Sequence, residues 1–465
     1  MDCFRDDPNQ TVPLQLVDKN DYEALVEGSD PFLQNFMAHN RFEASFGQTL
    51  IIPNRDGAVE KVLLGTQGWP EDPRGWVLLG AKAGAGCSPT PALHLDDKDM
   101  EAQEQLQFYL GWGLASYRFG RYLSKEAKPK AAIYVPETVN RAALKNQLEA
   151  VFLARDLVNT PAEDMGPAEL AGQAMEIAEE FGAEVQLTRG KELLEANYPA
   201  IYAVGKGSHR PPTLIDLRWG NPDHPKLSLV GKGVVFDAGG LDLKGATSMR
   251  WMKKDMGGGA ITLALAKLIM AEKLPVRLRL LIPAVENAAG PEAYRPGDVI
   301  QTRKGISVEI HNTDAEGRIV MCDALAEALT ESPDLLINMA TLTGAARVAL
   351  GQDLPGFWTQ ETELARALED AADEVADPVW RMPLWRPYRK MLNSTIADIS
   401  NCATGPLGGA ITAALYLHEF VKPFANWIHF DVFAWRNDAQ PGSPKGGEAS
   451  ALRAVFRFLE KRYRD

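Results

Sequence analysis

Two stretches of this 465-residue chain concentrate side chains that can do chemistry. The first runs Gly231-Lys-Gly-Val-Val-Phe-Asp-Ala-Gly-Gly-Leu-Asp-Leu-Lys244 and resumes at Met252-Lys-Lys-Asp-Met-Gly-Gly-Gly259. Eight of the 29 residues from Gly231 to Gly259 are glycine, which lets backbone run close to a ligand. The second is His311-Asn-Thr-Asp-Ala-Glu-Gly-Arg318, which follows a strand-like run (Ile306 to Ile310) and opens a helix. Together they supply four carboxylates, Asp237, Asp255, Asp314 and Glu316. Gathered in one place, these would repel one another unless cations neutralised them. Two divalent ions would balance four negative charges, and carboxylate-rich shells suit Zn, Mn or Mg. Lys232 could add a ligand, but only as the neutral amine. Lys244 and Arg318 would remain as cations able to stabilise an oxyanion or hold an anionic base. That is the equipment of a two-metal hydrolase.

Each residue also has a plainer reading. Asp255 could cap a helix from Gly257 onward, and Asp314 and Glu316 could complement the dipole of the Arg318 helix. Lys253 and Lys254 are most simply a solvated pair. Taken together with the glycines, these plain readings require too many coincidences.

Other chemistries find no support. Gly231-Lys232-Gly233 lacks the third glycine of a dinucleotide loop, since position 236 is Phe. There is no Walker loop, no G-x-S-x-G elbow and no H-E-x-x-H. His39, His94, His209, His224, His311, His418 and His429 stand isolated, as ordinary core or surface histidines do.

The elements that must position the carboxylates can be read from apolar patterning. Leu50–Ile52, Lys61–Leu64, Trp76–Leu79 and Ala131–Val135 are short apolar runs that read as strands, and Glu101 to Tyr117 as a helix. Arg141 to Leu157 has helical spacing and stops at Asn159-Thr160-Pro161. A further series follows, with strands at Leu227–Phe236, Val276–Val285, Leu335–Met339 and Asn426–Phe433. Between and after them lie helices at Ile261–Lys273, Arg318–Leu329, Gly409–Val421 and Ser450–Tyr463. Strands alternating with helices predict an α/β fold with a mostly parallel sheet flanked by helices. In such sheets ligands bind where strands end and helices begin, so Asp237, Asp255, Asp314 and Glu316 could share one edge.

The net charge of −13 disfavours nucleic acid and acidic membranes as partners, and no long basic run is present. No apolar run approaches the roughly 18 residues of a membrane span. Cys3, Cys87, Cys322 and Cys402 form no C-x-x-C pair, and the first residues are acidic where a signal peptide is basic. The expectation is a cytoplasmic protein.

These residues resemble the leucyl aminopeptidase family, the two-metal cytosol aminopeptidases. Asn312-Thr-Asp-Ala-Glu-Gly-Arg318 matches its signature heptad. Gly231–Asp237, Gly239-Gly240-Leu241, Lys244 and Met252–Gly258 match its other site segments, Ala340-Thr-Leu-Thr-Gly-Ala345 the substrate strand, and Arg155–Pro161 the connector. The resemblance implies a macro-like α/β domain at 1–140, a connecting helix at 141–164 and a larger catalytic domain at 165–465. It implies that Asp237 and Glu316 bridge two divalent ions, Mn²⁺ or Zn²⁺. Lys232 and Asp255 would complete the tighter site and Asp314 the more exchangeable one. Lys244 would bind the scissile carbonyl and the gem-diolate formed from it, and Arg318 a bicarbonate acting as base. Met252, Asn312, Thr341, Leu342 and Gly344 would line the substrate pocket. The implied activity is release of N-terminal, leucine-like residues from peptides with a free N-terminus, by a homohexamer. Ala238 and Gly245 depart from the family's usual Thr and Pro.

Two rivals share part of this pattern. A binding protein is one, since macro-like domains elsewhere bind ADP-ribose and some family members bind DNA, although DNA would need a Lys/Arg stripe that the net charge of −13 argues against. A two-metal phosphatase is the other, and it does not account for Lys232 as a ligand.

Overall fold

The computed structural model describes residues 2–87, 91–96, 100–125 and 130–464. It divides into two units, one of residues 1–149 with 437–445, the other of 150–436 with 446–465. The Arg141–Asn159 helix runs from the first into the second.

Among the described residues the smaller unit carries a six-stranded sheet. Phe4–Arg5, Ile133–Tyr134, Leu93–Leu95, Val12–Val17 and Val59–Gly65 run parallel in that spatial order, and Thr49–Pro53 closes one edge antiparallel. Trp76–Leu79, expected as a strand, instead lies in the helix Gly75–Gly86. An apolar run of that length does not separate a buried helix from a buried strand by periodicity. Its glycines decide the matter in space: a Cβ on Gly80 would run into the carbonyl of Phe108, on the neighbouring helix Ala102–Ala115. Two helices pack that closely only where a side chain is missing.

The larger unit is built on a nine-stranded sheet. Trp427–Asp431, Leu335–Ala340, Lys226–Gly231 and Arg277–Asn287 lie side by side and parallel at its centre. Thr213–Trp219 and then Glu184–Arg189 extend one side antiparallel, and Gly356–Trp358 does so on the other. Leu335–Ala340 is buried along its whole length, as a strand covered on both faces must be. Helices Gly257–Ala271 and Glu316–Ala328 pack on these central strands. The antiparallel pair at Glu184–Arg189 and Thr213–Trp219, and the helix Pro167–Phe181 before it, lie outside the expected series.

One expected strand is broken where it matters. Leu227–Phe236 divides at Lys232 into Lys226–Gly231 and Gly233–Asp237. The Lys232 N–H donates to Met339 O at 2.9 Å, and its carbonyl accepts from Gly259 N at 2.7 Å. Beyond it the chain pairs with the far half of Arg277–Asn287, Gly233 opposite Ala284 and Asp237 opposite Asn287, with a register shift between Val234 and Phe236. The next helix starts at Gly257, four residues before the expected Ile261. Glycine is a poor helix former, but a Cβ on Gly258 would collide with the Met339 carbonyl, so close packing on the central strand selects it.

Candidate metal centre

Strand ends and helix starts gather at one edge of this sheet, and each acidic side chain takes its place from that geometry. Asp237 ends its strand and Asn287 ends the neighbouring one. Asp255 sits in a short 3-10 turn, Met252–Met256, ahead of the Gly257 helix. Glu316 is the first residue of its helix, with Asp314 in the preceding turn. The helix from Gly257 carries no side-chain cap, so the capping reading of Asp255 fails.

Asp237, Asp255 and Glu316 each offer a buried oxygen, and the three oxygens lie within 4.8 Å of one another. Lys232, 2% exposed, bridges two of them, with Nζ at 2.6 Å from Asp255 Oδ2 and 2.6 Å from Glu316 Oε1. Its third partner is Thr341 O at 2.9 Å. Lys244 joins Asp237 Oδ2, at 2.7 Å, to Asp314 Oδ1. Apart from these ion pairs, the buried Asp255 Oδ2 and Asp314 Oδ1 have no hydrogen-bond partner. Acceptors whose partners are ammonium groups alone fit a cation, and the set of hard oxygens with one amine suits a divalent metal. Gly317 keeps the space open: a Cβ there would stand 2.8 Å from Lys232 Nζ.

The charges act strongly on one another. Burial disfavours the Lys232 ammonium, yet Asp255, Glu316 and Asp237 outweigh it and hold the group above the ordinary lysine range. Lys244 is raised in the same way, against burial, by Asp237, Glu316, Asp255 and Asp314. Burial and then the Asp237 charge push Glu316 well above the usual carboxylate range. The same two causes bring Asp314 up to about 6. Asp255 goes the other way, its burial overcome by Lys232, Lys254 and Lys244.

Several supporting contacts lie outside what the sequence predicts. Asn287 Nδ2 donates to Asp237 Oδ1 at 2.8 Å, and Gly239 N to the same oxygen at 2.9 Å. Thr313 staples the two site segments: its N–H donates to Asp242 Oδ2 at 2.7 Å and its hydroxyl to Gly239 O at 2.6 Å. Thr341 Oγ1 donates to Asp255 Oδ1 at 2.9 Å. Lys254, expected in solvent beside Lys253, is 2% exposed, with Nζ 3.3 Å from Asp255 Oδ1. Burial brings it down to about 8. Adjacent lysines look alike in sequence, and only the 3-10 turn sends one inward.

The remaining expected residues sit around this cluster. Arg318 is buried and donates from Nη1 to Asn401 O at 2.6 Å, while its Nε has no partner. Asn312 Oδ1 accepts from Asp314 N at 2.7 Å, and Leu342 N donates to Asp431 Oδ1 at 3.0 Å. Met252 opens the turn that carries Asp255, and Gly344 is exposed at the start of the helix Gly344–Leu350. Among the described residues no hydrogen bond or ion pair joins the side chains of Met252, Asn312 or Arg318 to the four carboxylates.

Comparison with known proteins decides the family. The catalytic-domain model of the cytosol aminopeptidase family matches residues 152–456, and the N-terminal domain model of the M17 aminopeptidases matches 12–136. The chain belongs to the cytosol aminopeptidase family. It is similar to the crystal structure of a cytosol aminopeptidase from Coxiella burnetii, at 46% identity and a TM-score of 0.93, over 100% of both chains. It is also similar to a probable cytosol aminopeptidase of Syntrophotalea carbinolica, 39% identical over 75% of this chain and 73% of that one. The bottromycin maturation enzyme BotP, in a structure with Mn, has a TM-score of 0.87 and 31% identity over 98% of this chain and 100% of its own. Membership makes the chain an aminopeptidase hydrolase, and a metal-dependent one. No described helix is long and apolar enough to cross a membrane.

Proposed function

We propose that this protein removes N-terminal amino acids, leucine-like ones preferred, from peptides with a free N-terminus, using two divalent ions per subunit. The observation that carries the reading is the pair of lysines, Lys232 buried and Lys244 partly buried, each inserted between carboxylates from different segments. In this reading Lys232, Asp237, Asp255, Asp314 and Glu316 would hold the ions. Lys232 can ligate only after giving up the proton that its neighbours now favour. Bound Mn²⁺ or Zn²⁺ would lower the pKa of water and polarise the scissile carbonyl.

The chain's own residues do the rest. Lys244, half-sheltered at the cluster's edge, donates to the oxyanion that grows on that carbonyl. Arg318 holds bicarbonate as base, a role supported by its buried and unpartnered Nε. Met252, Asn312, Thr341, Leu342 and Gly344 form the pocket for the first side chain and its backbone. The reading also carries a cytoplasmic location, a homohexamer, and a division into an N-terminal domain (1–140), a connector (141–164) and a catalytic domain (165–465).

A substrate comparison tests it. Leucine anilide should be hydrolysed, while N-acetyl-leucine anilide and a phosphate ester should not. Cleavage of the phosphate ester alone would reassign the site to phosphatase chemistry.

A further inference from the structure

Lys254 is a buried cation on the outer side of the cluster. Its ammonium lies 3.3 Å from Asp255 Oδ1 and 5.7 Å from the centroid of the Phe433 ring, whose surface also carries Arg347 at 4.7 Å. Thr341 Oγ1 stands 2.9 Å from the same Asp255 oxygen and 2.8 Å from the Asp255 backbone carbonyl, its one proton shared between them. The other oxygen, Oδ2, faces inward to Lys232. Asp255 therefore presents one oxygen to the cluster while the Lys254 amine lies 3.3 Å from the other.

We propose that Lys254 sets how strongly the cluster holds a divalent cation: its charge, paired with Asp255 from behind, weakens that hold. The inference rests on the reading of Asp255 as a ligand. A unit charge a few ångströms beyond a buried carboxylate is poorly screened, so it opposes a dication on the inner oxygen. Anchoring is the competing effect, since losing Lys254 also loses a partner of Oδ1. Thr341 keeps that oxygen in place, so the charge effect dominates. Removal of the lysine also leaves Asp255 paired with Lys232 and strands no buried charge.

The test is competition of the full-length protein with a fluorescent chelator for Mn²⁺ and then Zn²⁺ at pH 7, with circular dichroism to confirm folding. Lys254→Met and Lys254→Gln should bind about tenfold tighter than wild type, Lys254→Arg within about threefold of it, and Asp255→Asn at least about tenfold weaker. Should Lys254→Met fail to fold, Lys254→Gln carries the same comparison. Neutral variants that bind no tighter, beside a weakened Asp255→Asn, would overturn the role of Lys254 alone. An unaffected Asp255→Asn would remove Asp255 from the cation site, and the inference with it.

Discussion

Asn287 and Asp237 end neighbouring parallel strands, and the amide of the first donates to the carboxylate of the second at 2.8 Å. The same amide group reaches Thr313 O at 3.1 Å, so one buried side chain ties the Asp237 strand to the Asn312–Arg318 turn. Partners of this kind orient a ligand, and their loss commonly costs 10–100-fold in metal affinity or activity. Asn287→Ala should therefore lower activity by about 10–100-fold. It should also lower stability by about 1–3 kcal/mol, because Asp237 Oδ1 and Thr313 O lose a buried donor. Steady-state kinetics and denaturant unfolding measure the two effects. Unchanged kinetics would limit Asn287 to a structural role.

Lys244 is the cation placed to meet charge that develops on a substrate. Lys244→Ala should keep its fold by circular dichroism and lose about 10²–10³ in turnover, the usual cost of removing one oxyanion contact. Turnover equal to wild type would take Lys244 out of the mechanism.

A buried acid away from the cluster gives the pH dependence of stability. Asp323 accepts from Ala200 N at 2.8 Å and from Arg303 N at 2.8 Å, yet burial, the larger influence, raises it to about 6. A carboxyl raised above its unfolded value binds its proton more tightly when folded. Its stabilising contribution is complete below the unfolded value near 4 and is lost as pH rises through about 6. Between pH 5 and pH 8 wild type should lose about 1–1.5 kcal/mol more than Asp323→Ser, read from paired denaturant midpoints. Parallel curves for the two proteins would contradict this.

The carboxylates and lysines of the cluster were legible because their types and spacing are unusual along the chain, and Asn312–Arg318 is distinctive as a unit. The central strands were legible as apolar runs between glycines, since strands buried on both faces need such runs. Residues that act by holding others were not. Asn287, Thr313 and Asn401 are ordinary polar residues until the fold brings them to Asp237, Asp242 and Arg318 across long stretches of chain. Lys254 was misplaced because a pair of lysines carries no sign of which one turns inward. Trp76–Leu79 was misassigned for a related reason: its neighbour, the helix Ala102–Ala115, lies some thirty residues on, and local periodicity does not register that packing.

The central claim is that acidic side chains from separate segments, with Lys232, hold the cations on which peptide hydrolysis depends. The most direct measurement is hydrolysis of leucine anilide by the full-length protein, stripped by a strong chelator and then titrated with Mn²⁺ or Zn²⁺. Activity should vanish on stripping and return on titration, saturating near two ions per subunit, and Glu316→Gln should remain inactive at the same ion concentrations. Full activity in excess chelator, or a Glu316→Gln protein as active as wild type, would contradict it.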